Sequence, residues 1–474
     1  MAGPDDALDA LRDRVRPFEE AELALVRSVV SSPAWLSEED EAALRYALNL
    51  AKLGRVRAPD GTDVDLEPVL APFRDDVAAI GLPPLLREGG PDEAATLRIV
   101  PNLAAHARAW RARAALAAQG RLLPGAIDRE VCEKALVLVC GGGGGVAWSY
   151  LGAFALLEQY GLVPRLLAGT SMGAVLLLFR ARRPRWNPDD VAETLRGLSF
   201  KTIFRFLQTE SRYGLPAPMR LYLRAAIGDF LEGPDGHPLT LAQLAIPLVV
   251  AVTGIRKGAL PRDPSYYEHL LDLHGREPRP SAIVRVASQV FDAIGELVAQ
   301  RDRLARIYLG GDEETRAFDA IDAVGFSSAL PGVIHYDVVR DDERMHALLG
   351  ALLERHDVAR LVDGSLVDNL PAREAWATVQ RGAVGTRNAF VLALETFGPK
   401  LTQPLWLGLA QIAAPNVARN RPFAHLFRSF QRVLSPLEVV PDEDAVQRAV
   451  RMGKAELHPD MALVARMCRR FPAL

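Results

Sequence analysis

Cysteine is scarce in this chain, which has three among its 474 residues. Thiols so few and so scattered cannot form the disulfide framework that staples small secreted domains. No group of histidine, cysteine and acidic residues has a spacing typical of a metal site. We therefore expect the hydrophobic core to hold the fold together, without disulfide bonds or a structural metal.

The chain also lacks a strong charge of either sign. Its 56 basic and 59 acidic side chains leave a formal net charge of −3 at pH 7. Without a basic run or patch, nucleic acid is not an expected partner. The composition, which is 49% hydrophobic, is typical of a globular protein.

A membrane span and a targeting segment are not expected either. Residues 135–157 carry no charge, but five consecutive glycines, Gly141 to Gly145, disfavour a helix there. The first residues are acidic and lack the apolar run of a secretory signal. We expect a soluble, cytoplasmic protein.

The glycine run lies between two elements of a predicted strand–loop–helix–strand unit. The apolar stretch Ala135–Cys140 predicts a buried strand, and Ala147–Glu158 predicts a helix. A second short strand, Leu166–Ala168, leads into Gly169-Thr170-Ser171-Met172-Gly173. Ser171 would therefore lie where this strand turns into the next helix, as the nucleophile of a serine hydrolase does.

Glycines supply what such a nucleophile needs around it. The N–H groups of Gly142, Gly143 and Gly144 can come close to a developing oxyanion, because these residues have no β-carbon. Gly169 and Gly173 let the turn tighten around the hydroxyl. A phosphate-binding loop is not indicated, because no Gly-Lys-Ser or Gly-Lys-Thr follows the glycines.

The proton acceptor is harder to choose from the residues alone. None of the nine histidines has a distinctive setting, and His335 and His346 look like loop or surface residues. Asp363 stands out because it ends an apolar-flanked run and is followed by Gly364. However, Asp-Gly is among the commonest turn dipeptides, so this pattern does not identify the base by itself.

Together, these motifs resemble those of the patatin-like phospholipase family. Its members carry a glycine-rich oxyanion loop, a G-x-S-x-G serine and a later D-G-G or D-G-A aspartate. The similarity covers residues 131–400, and four further segments match the family's order: Gly152–Glu158, Pro247–Thr253, Ser327–Pro331 and Asp363–Pro371.

The resemblance implies an α/β fold with three layers and a central, mostly parallel sheet. It also implies that Ser171 and Asp363 form a Ser-Asp dyad that needs no histidine, metal or organic cofactor. Two positions depart from the family pattern: Val146 replaces the usual basic residue of the glycine loop, and Ser365 replaces a glycine or alanine. Neither departure removes the nucleophile or the base.

The implied function is that of a serine lipid acyl hydrolase of the phospholipase A or lysophospholipase type. Its substrate would be a phospholipid or another acyl-ester lipid. Two alternatives remain open: an α/β-hydrolase-type esterase that uses His425 or His458, and a non-catalytic scaffold that binds lipid or protein. The replacement at Val146 is the one hint of the second alternative.

We expect three regions along the chain. Residues 1–130 form a helical region with an unassigned role and an unknown partner, including one helix from Ser37 to Leu53 and another from Ala104 to Gly120. Residues 131–400 form the catalytic domain, and residues 401–474 a helical C-terminal extension.

Two segments mix aromatic and basic residues, namely Phe200–Leu207 and Leu405–Leu434. An interfacial helix has this composition, and so does a core helix with a solvated basic edge. Peripheral contact with a membrane is therefore one of two interpretations of each segment.

Overall fold

The structure, a computed structural model, describes residues 4–196, 198–206, 211–260, 301–396, 413–431 and 433–474. These residues form two compact units. The first contains the chain up to Val137 with Trp376–Val391 and Pro459–Leu474, and the second contains Leu138–Ala375 and Leu392–His458. Within the described ranges, every helix is too short or too polar to cross a bilayer.

The first unit is mainly helical and includes a short antiparallel hairpin, β1 (Arg55–Arg57) with β2 (Asp63–Asp65). Its N-terminal helices are α1 (Pro4–Ser31), α2 (Glu38–Lys52), α3 (Glu67–Ile80), α4 (Leu82–Leu85), α5 (Glu93–Ala117) and α6 (Ala126–Cys132). Helix α2 confirms the predicted start, because the Ser37 side chain accepts the Asp40 N–H. Leu25, Tyr46 and Phe73 are fully buried in the core of this unit.

The described residues include a seven-stranded sheet, in the order β10-β7-β4-β3-β11-β12 with β8 also paired to β7. The strands are β3 (Ala135–Cys140), β4 (Leu166–Thr170), β7 (Leu248–Arg256), β8 (Leu304–Leu309), β10 (Val358–Asp363), β11 (Ala389–Glu395) and β12 (Leu426–Ser429). A smaller sheet contains β5 (Phe204–Phe206), β6 (Met219–Leu221) and β9 (Ile334–His335). The mostly parallel central sheet confirms the predicted α/β class.

Helices surround the central sheet. They are α7 (Tyr150–Gln159), α8 (Ser171–Ala181), α9 (Pro188–Arg196), α10 (Phe200–Ile203), α11 (Leu223–Ile227), α12 (Ala320–Ser327), α13 (Glu343–His356), α14 (Ala372–Gln380) and α15 (Glu443–Leu457). The last helix, α16 (Met461–Cys468), belongs to the first unit. The helix predicted from Ala147 begins later, at Tyr150, because Gly144–Ser149 forms a tighter 3₁₀ turn first.

The pairing of β7 explains how distant residues meet. Strand β8 occupies one edge of β7, so β4 and β10 must share the other edge. Strand β4 runs parallel to β7 and ends with Thr170 opposite Ala251. Strand β10 runs antiparallel and ends with Asp363 opposite Val252. The C-terminal ends of β4 and β10 therefore meet, which brings Ser171 next to Asp363.

The described part of the segment Leu405–Leu434 is helical over 413–420, but near Phe430 it does not form the helix that both interpretations of the segment assume. Leu426–Ser429 is a strand of the central sheet, paired in parallel with β11. Phe423 and Phe430 are buried, because their rings pack inside the protein. Residues 405–412 and Arg432 of the same segment, and Leu207 of the other one, lie outside the described residues.

Candidate active site

Ser171 occupies a strained backbone position between β4 and α8. Its φ is 52°, in the left-handed region that a non-glycine residue seldom adopts. Such strain persists where the surrounding structure enforces it, and it is a feature of nucleophile elbows. The serine is also the first residue of α8, where backbone N–H groups and the helix dipole favour negative charge.

The glycines on either side of Ser171 allow close packing around the turn. A β-carbon on Gly173 would overlap the Gly141 carbonyl oxygen, so α8 can lie directly on the glycine loop. A β-carbon on Gly169 would lie 2.8 Å from Leu177 Cδ1 and 3.0 Å from the Ala174 backbone. These contacts give a steric reason for both glycines of the motif.

A second serine fixes the backbone of the elbow. The Ser171 N–H donates to Ser327 Oγ at 2.8 Å, and the Ser327 hydroxyl donates to the Ala251 carbonyl at 2.6 Å. Ser327 therefore ties the turn to the middle of β7. The adjacent Thr170 hydroxyl donates to the Asp368 carbonyl at 2.8 Å, which links the elbow to the loop after Asp363.

Asp363 is almost fully buried, with 2% of its surface exposed. Burial raises the pKa of its carboxyl group above the usual value, while hydrogen bonds from Ser365 and Ser171 oppose that rise. Oδ1 accepts both the Ser365 hydroxyl, at 2.6 Å, and the Ser365 N–H, at 2.8 Å. The carboxylate is thus held by the residue that departs from the family pattern, and it also contacts Ser171.

Gly364 permits this arrangement. A β-carbon there would overlap the Ala251 carbonyl oxygen and would lie 3.0 Å from Thr170 Cγ2. The chain can therefore turn away from the end of β10 without pushing β4 and β7 apart.

The three glycines expected to form the oxyanion hole are not equivalent. The Gly142 N–H donates to the Asn369 carbonyl at 3.3 Å, so it is already engaged. Gly143 and Gly144 line the cavity that contains Ser171. Among the described residues, no acceptor pairs with the N–H of either, which leaves both available to an oxyanion.

The cavity beside Ser171 has a volume of about 420 Å³ and reaches past Asp363 and Ser365. Its walls are mostly apolar, and Asp363 is the one charged residue among the described residues that line it. Apolar side chains of α8, α11 and β6 line it, such as Phe179, Leu221 and Ile227. The shape and apolar lining suit a hydrocarbon chain next to a reactive hydroxyl.

None of the described histidines lines this cavity. His335, a loop or surface residue by its sequence, is buried, and its ring bonds to the Ala217 backbone. Burial lowers the pKa of His335 to about 4. His346 contacts the Tyr213 hydroxyl at 2.9 Å and the Arg340 carbonyl at 3.0 Å. His425 is buried and His458 is exposed. This placement does not favour an esterase that uses either of these last two residues.

Sequence reasoning missed two residues of the site. The hydroxyls of Ser327 and Ser365 hold the elbow and the carboxylate, but nothing in their local sequence gives them that role. The segment that contains Ser327 stands out in the sequence only through its resemblance to the family. Its contact with Ser171 joins residues 156 positions apart, which a local pattern cannot reveal.

Comparison with known proteins identifies the family of the chain. The profile of the family described as patatin-like phospholipase matches residues 138–376, about half of the chain. That range contains Ser171, Asp363 and the whole glycine loop. None of the curated proteins matches the chain. The chain belongs to the patatin-like phospholipase family.

Proposed function

We propose that this protein is a serine lipid acyl hydrolase of the phospholipase A or lysophospholipase type, with Ser171 as nucleophile and Asp363 as general base. Family membership supports lipid acyl hydrolase activity in general. The observation that carries the finer proposal is the contact between a strained serine at the first position of α8 and a buried carboxylate inside one apolar cavity.

The first half of the reaction forms an acyl-enzyme. Ser171 Oγ attacks the ester carbonyl carbon while Asp363 takes the hydroxyl proton. The N–H groups of Gly143 and Gly144 stabilise the oxyanion, and one such donor contributes about 2.7–4 kcal/mol in known hydrolases. When the tetrahedral intermediate collapses, the C–O bond to the leaving alcohol breaks and Asp363 returns the proton to that alcohol.

Water completes the reaction. Asp363 takes a proton from a water molecule, which attacks the acyl carbon of the acyl-enzyme. A second tetrahedral intermediate collapses, Ser171 leaves with the proton from Asp363, and the fatty acid is released. Every step uses the same two side chains and the same N–H groups, so the proposal requires neither metal nor organic cofactor.

The burial of Asp363 supports its role. A carboxylate in water is a weak base, with a pKa of about 3.9 for a free aspartate. Burial raises the pKa of Asp363, which makes it a better acceptor for the proton of Ser171. A pKa raised in this way, beside a nucleophile in a cavity, is a physical mark of a catalytic group.

A fluorophosphonate probe tests the assignment of the nucleophile. We expect covalent labelling at Ser171, mapped by mass spectrometry, and no labelling of Ser171→Ala. Asp363→Asn should react far more slowly, while His425→Ala and His458→Ala should react like the native chain. Labelling that depends on either histidine would instead favour the α/β-hydrolase-type alternative, and a native chain that never reacts would favour the non-catalytic scaffold.

A further inference from the structure

Three large apolar side chains are exposed where the cavity meets solvent. The exposed fractions are 77% for Leu437, 55% for Phe206 and 44% for Phe200. Leu437 and Phe200 also line the cavity that contains Ser171, so both stand at its opening. The rings of Phe200 and Phe206 have centroids 6.4 Å apart. We call these three residues the mouth patch.

Leu437 belongs to a strap, residues 435–440, that is fastened to the glycine loop. The Gly145 N–H donates to the Pro436 carbonyl at 2.9 Å, and Trp148 Nε1 donates to the Val439 carbonyl at 3.2 Å. A β-carbon on Gly145 would overlap the Ser435 carbonyl oxygen, so the two backbones touch. Leu437 lies between these two anchors, and its exposure is therefore imposed by the fold.

The two phenylalanines are also attached to the cavity wall. Ser199 and Thr202 form a capping box around the start of α10, which fixes the position of Phe200. Phe200 packs against Phe204 with ring centroids 4.7 Å apart, and Phe206 pairs with Met219 in the small sheet. Phe204 and Met219 both line the cavity. The mouth patch is thus an outward continuation of the cavity lining.

Exposed cations accompany the phenylalanines. Lys201 and Arg205 lie between Phe200 and Phe206 in the chain, and both are exposed. On the strap, the one acidic neighbour of Leu437 is Glu438, whose carboxylate lies 4.0 Å from Arg448. Apolar side chains beside lysine and arginine are the composition that inserts into the boundary between lipid head groups and acyl chains.

From this arrangement we infer that the mouth patch docks the chain on the surface of a phospholipid bilayer. Phe200, Phe206 and Leu437 enter the bilayer boundary, while Lys201 and Arg205 face the head-group phosphates. An acyl chain then passes from the bilayer into the cavity without crossing water. The inference rests on the proposed function for its purpose, but the docking itself is measurable without catalysis.

Vesicle binding in a Ser171→Ala background tests the inference, because that change removes the proposed nucleophile. We expect the parent to sediment with vesicles of equal parts phosphatidylcholine and phosphatidylglycerol. Adding Phe206→Ser and Leu437→Ser should weaken binding by about tenfold or more, which corresponds to about 1.4 kcal/mol. Leu116→Ser is the matched control, because Leu116 is 72% exposed but does not line the cavity. It should bind like the parent.

A second readout separates docking from chemistry. In the native background, Phe206→Ser should hydrolyse a short-chain ester dissolved in water at the native rate, since Phe206 does not line the cavity. Its hydrolysis of vesicle lipids should fall. If the native chain hydrolyses neither substrate, the proposed function fails, and the binding experiment still decides the docking.

Three results would overturn the inference. One is a parent that does not bind these vesicles, and another is equal weakening by Leu116→Ser. The third is a dimer in sedimentation velocity that Phe206→Ser dissociates, without any vesicle binding, because the patch would then contact a second copy of the chain.

Discussion

At the scale of single residues, two opposing effects set the basicity of Asp363. Burial raises the pKa of its carboxyl group, and hydrogen bonds from Ser365 and Ser171 lower it. The base must be ionised to accept a proton, so activity should fall as the pH drops through the pKa of this group. We expect that fall to be centred above the pKa of about 3.9 of a free aspartate. A rate profile that stays flat down to about pH 4 would contradict Asp363 as the base.

Ser365→Ala should move the acidic limb of the pH–rate profile, where activity falls as the pH drops, to higher pH. The change removes the hydroxyl that donates to Oδ1 at 2.6 Å, so the pKa of Asp363 rises further and more alkaline conditions are needed to ionise it. The measurement is the pH dependence of kcat/KM.

Two variants control this experiment. Ser365→Thr keeps a hydroxyl and should keep the native limb. Ser328→Ala removes another serine hydroxyl of the cavity, one that donates to the Val324 carbonyl at 2.9 Å. It should leave the acidic limb at its native pH. An unchanged limb in Ser365→Ala would show that Ser365 does not tune the base.

Some residues of the site can be predicted from the sequence and others cannot. Ser171 could be found from local pattern, because a strand, a glycine loop and flanking glycines surround it. Asp363 could be selected only through the resemblance, since Asp-Gly is common in turns. The engagement of the Gly142 N–H by the Asn369 carbonyl depends on a contact across more than two hundred residues, which no local pattern encodes.

At the scale of elements, helices α7 and α15 pack through glycines. A β-carbon on Gly152 would overlap the Val450 carbonyl oxygen, and one on Gly453 would overlap the Ser149 carbonyl oxygen. This close approach holds α15 against the 3₁₀ turn of the glycine loop. The second unit therefore needs small residues on both helices at the crossing.

Gly453→Ala should destabilise the protein although alanine is the better helix former. The added methyl group forces the backbones apart, and such overpacking costs about 1–3 kcal/mol. Gly350→Ala is the matched control, since Gly350 lies inside α13 and its β-carbon would meet nothing within 4 Å. We expect that variant to gain about 0.5–1 kcal/mol from helix propensity. Denaturant unfolding measures the free energy of unfolding of both variants. A change of the same sign in the two variants would contradict the packing argument.

The sequence predicts individual elements better than their pairing. The strand before the glycines and the helix after Ser37 follow from apolar runs and a capping residue, and both are present. The helix predicted from Ala104 begins earlier, at Glu93, because Asp92 caps that end and Pro101 is accommodated inside. That β10 runs antiparallel along the same edge of β7 as β4 is set by long-range contacts, which the sequence alone does not show.

At the scale of the whole molecule, the first unit contains a buried network of charges. Glu22, with 1% of its side chain exposed, lies 2.9 Å from Lys134 Nζ and 3.0 Å from Arg45 Nε. Burial alone would raise the pKa of Glu22, but the cations Lys134 and Arg45 outweigh it and lower the pKa to about 2. The carboxylate is thus paired on both sides inside the core.

Glu22→Gln should lower the free energy of unfolding by about 3–5 kcal/mol at neutral pH, because it removes the buried anion that Lys134 and Arg45 share, and among the described residues only Arg45 keeps a second carboxylate, that of Glu41 at 3.5 Å. The folded pKa of Glu22 lies below its usual value of 4.5. Its contribution is therefore complete above about pH 4.5 and is lost as the pH falls towards 2. The variant should lack that part of the acid dependence.

Glu20→Gln on the same helix provides the comparison. Glu20 pairs with Arg16 at the surface, with 49% of its side chain exposed, so its loss should cost well under 1 kcal/mol. Urea unfolding at several pH values measures both variants. Equal effects at positions 20 and 22 would show that the buried network does not stabilise the first unit.

The sequence predicts least well which distant segments belong to the same compact unit. Trp376–Val391 and Pro459–Leu474 cluster with the N-terminal helices, although they are separated from them by more than two hundred residues. The composition of those segments does not predict this association, because the association arises from non-local packing of apolar side chains.

The most direct test of the account is fatty-acid release from phospholipid vesicles by the native chain, Ser171→Ala and Asp363→Asn. We predict release by the native chain, none by Ser171→Ala, and a loss of about 10²–10⁴-fold in Asp363→Asn, the range of a general base. Undiminished release by either variant would contradict the Ser-Asp dyad.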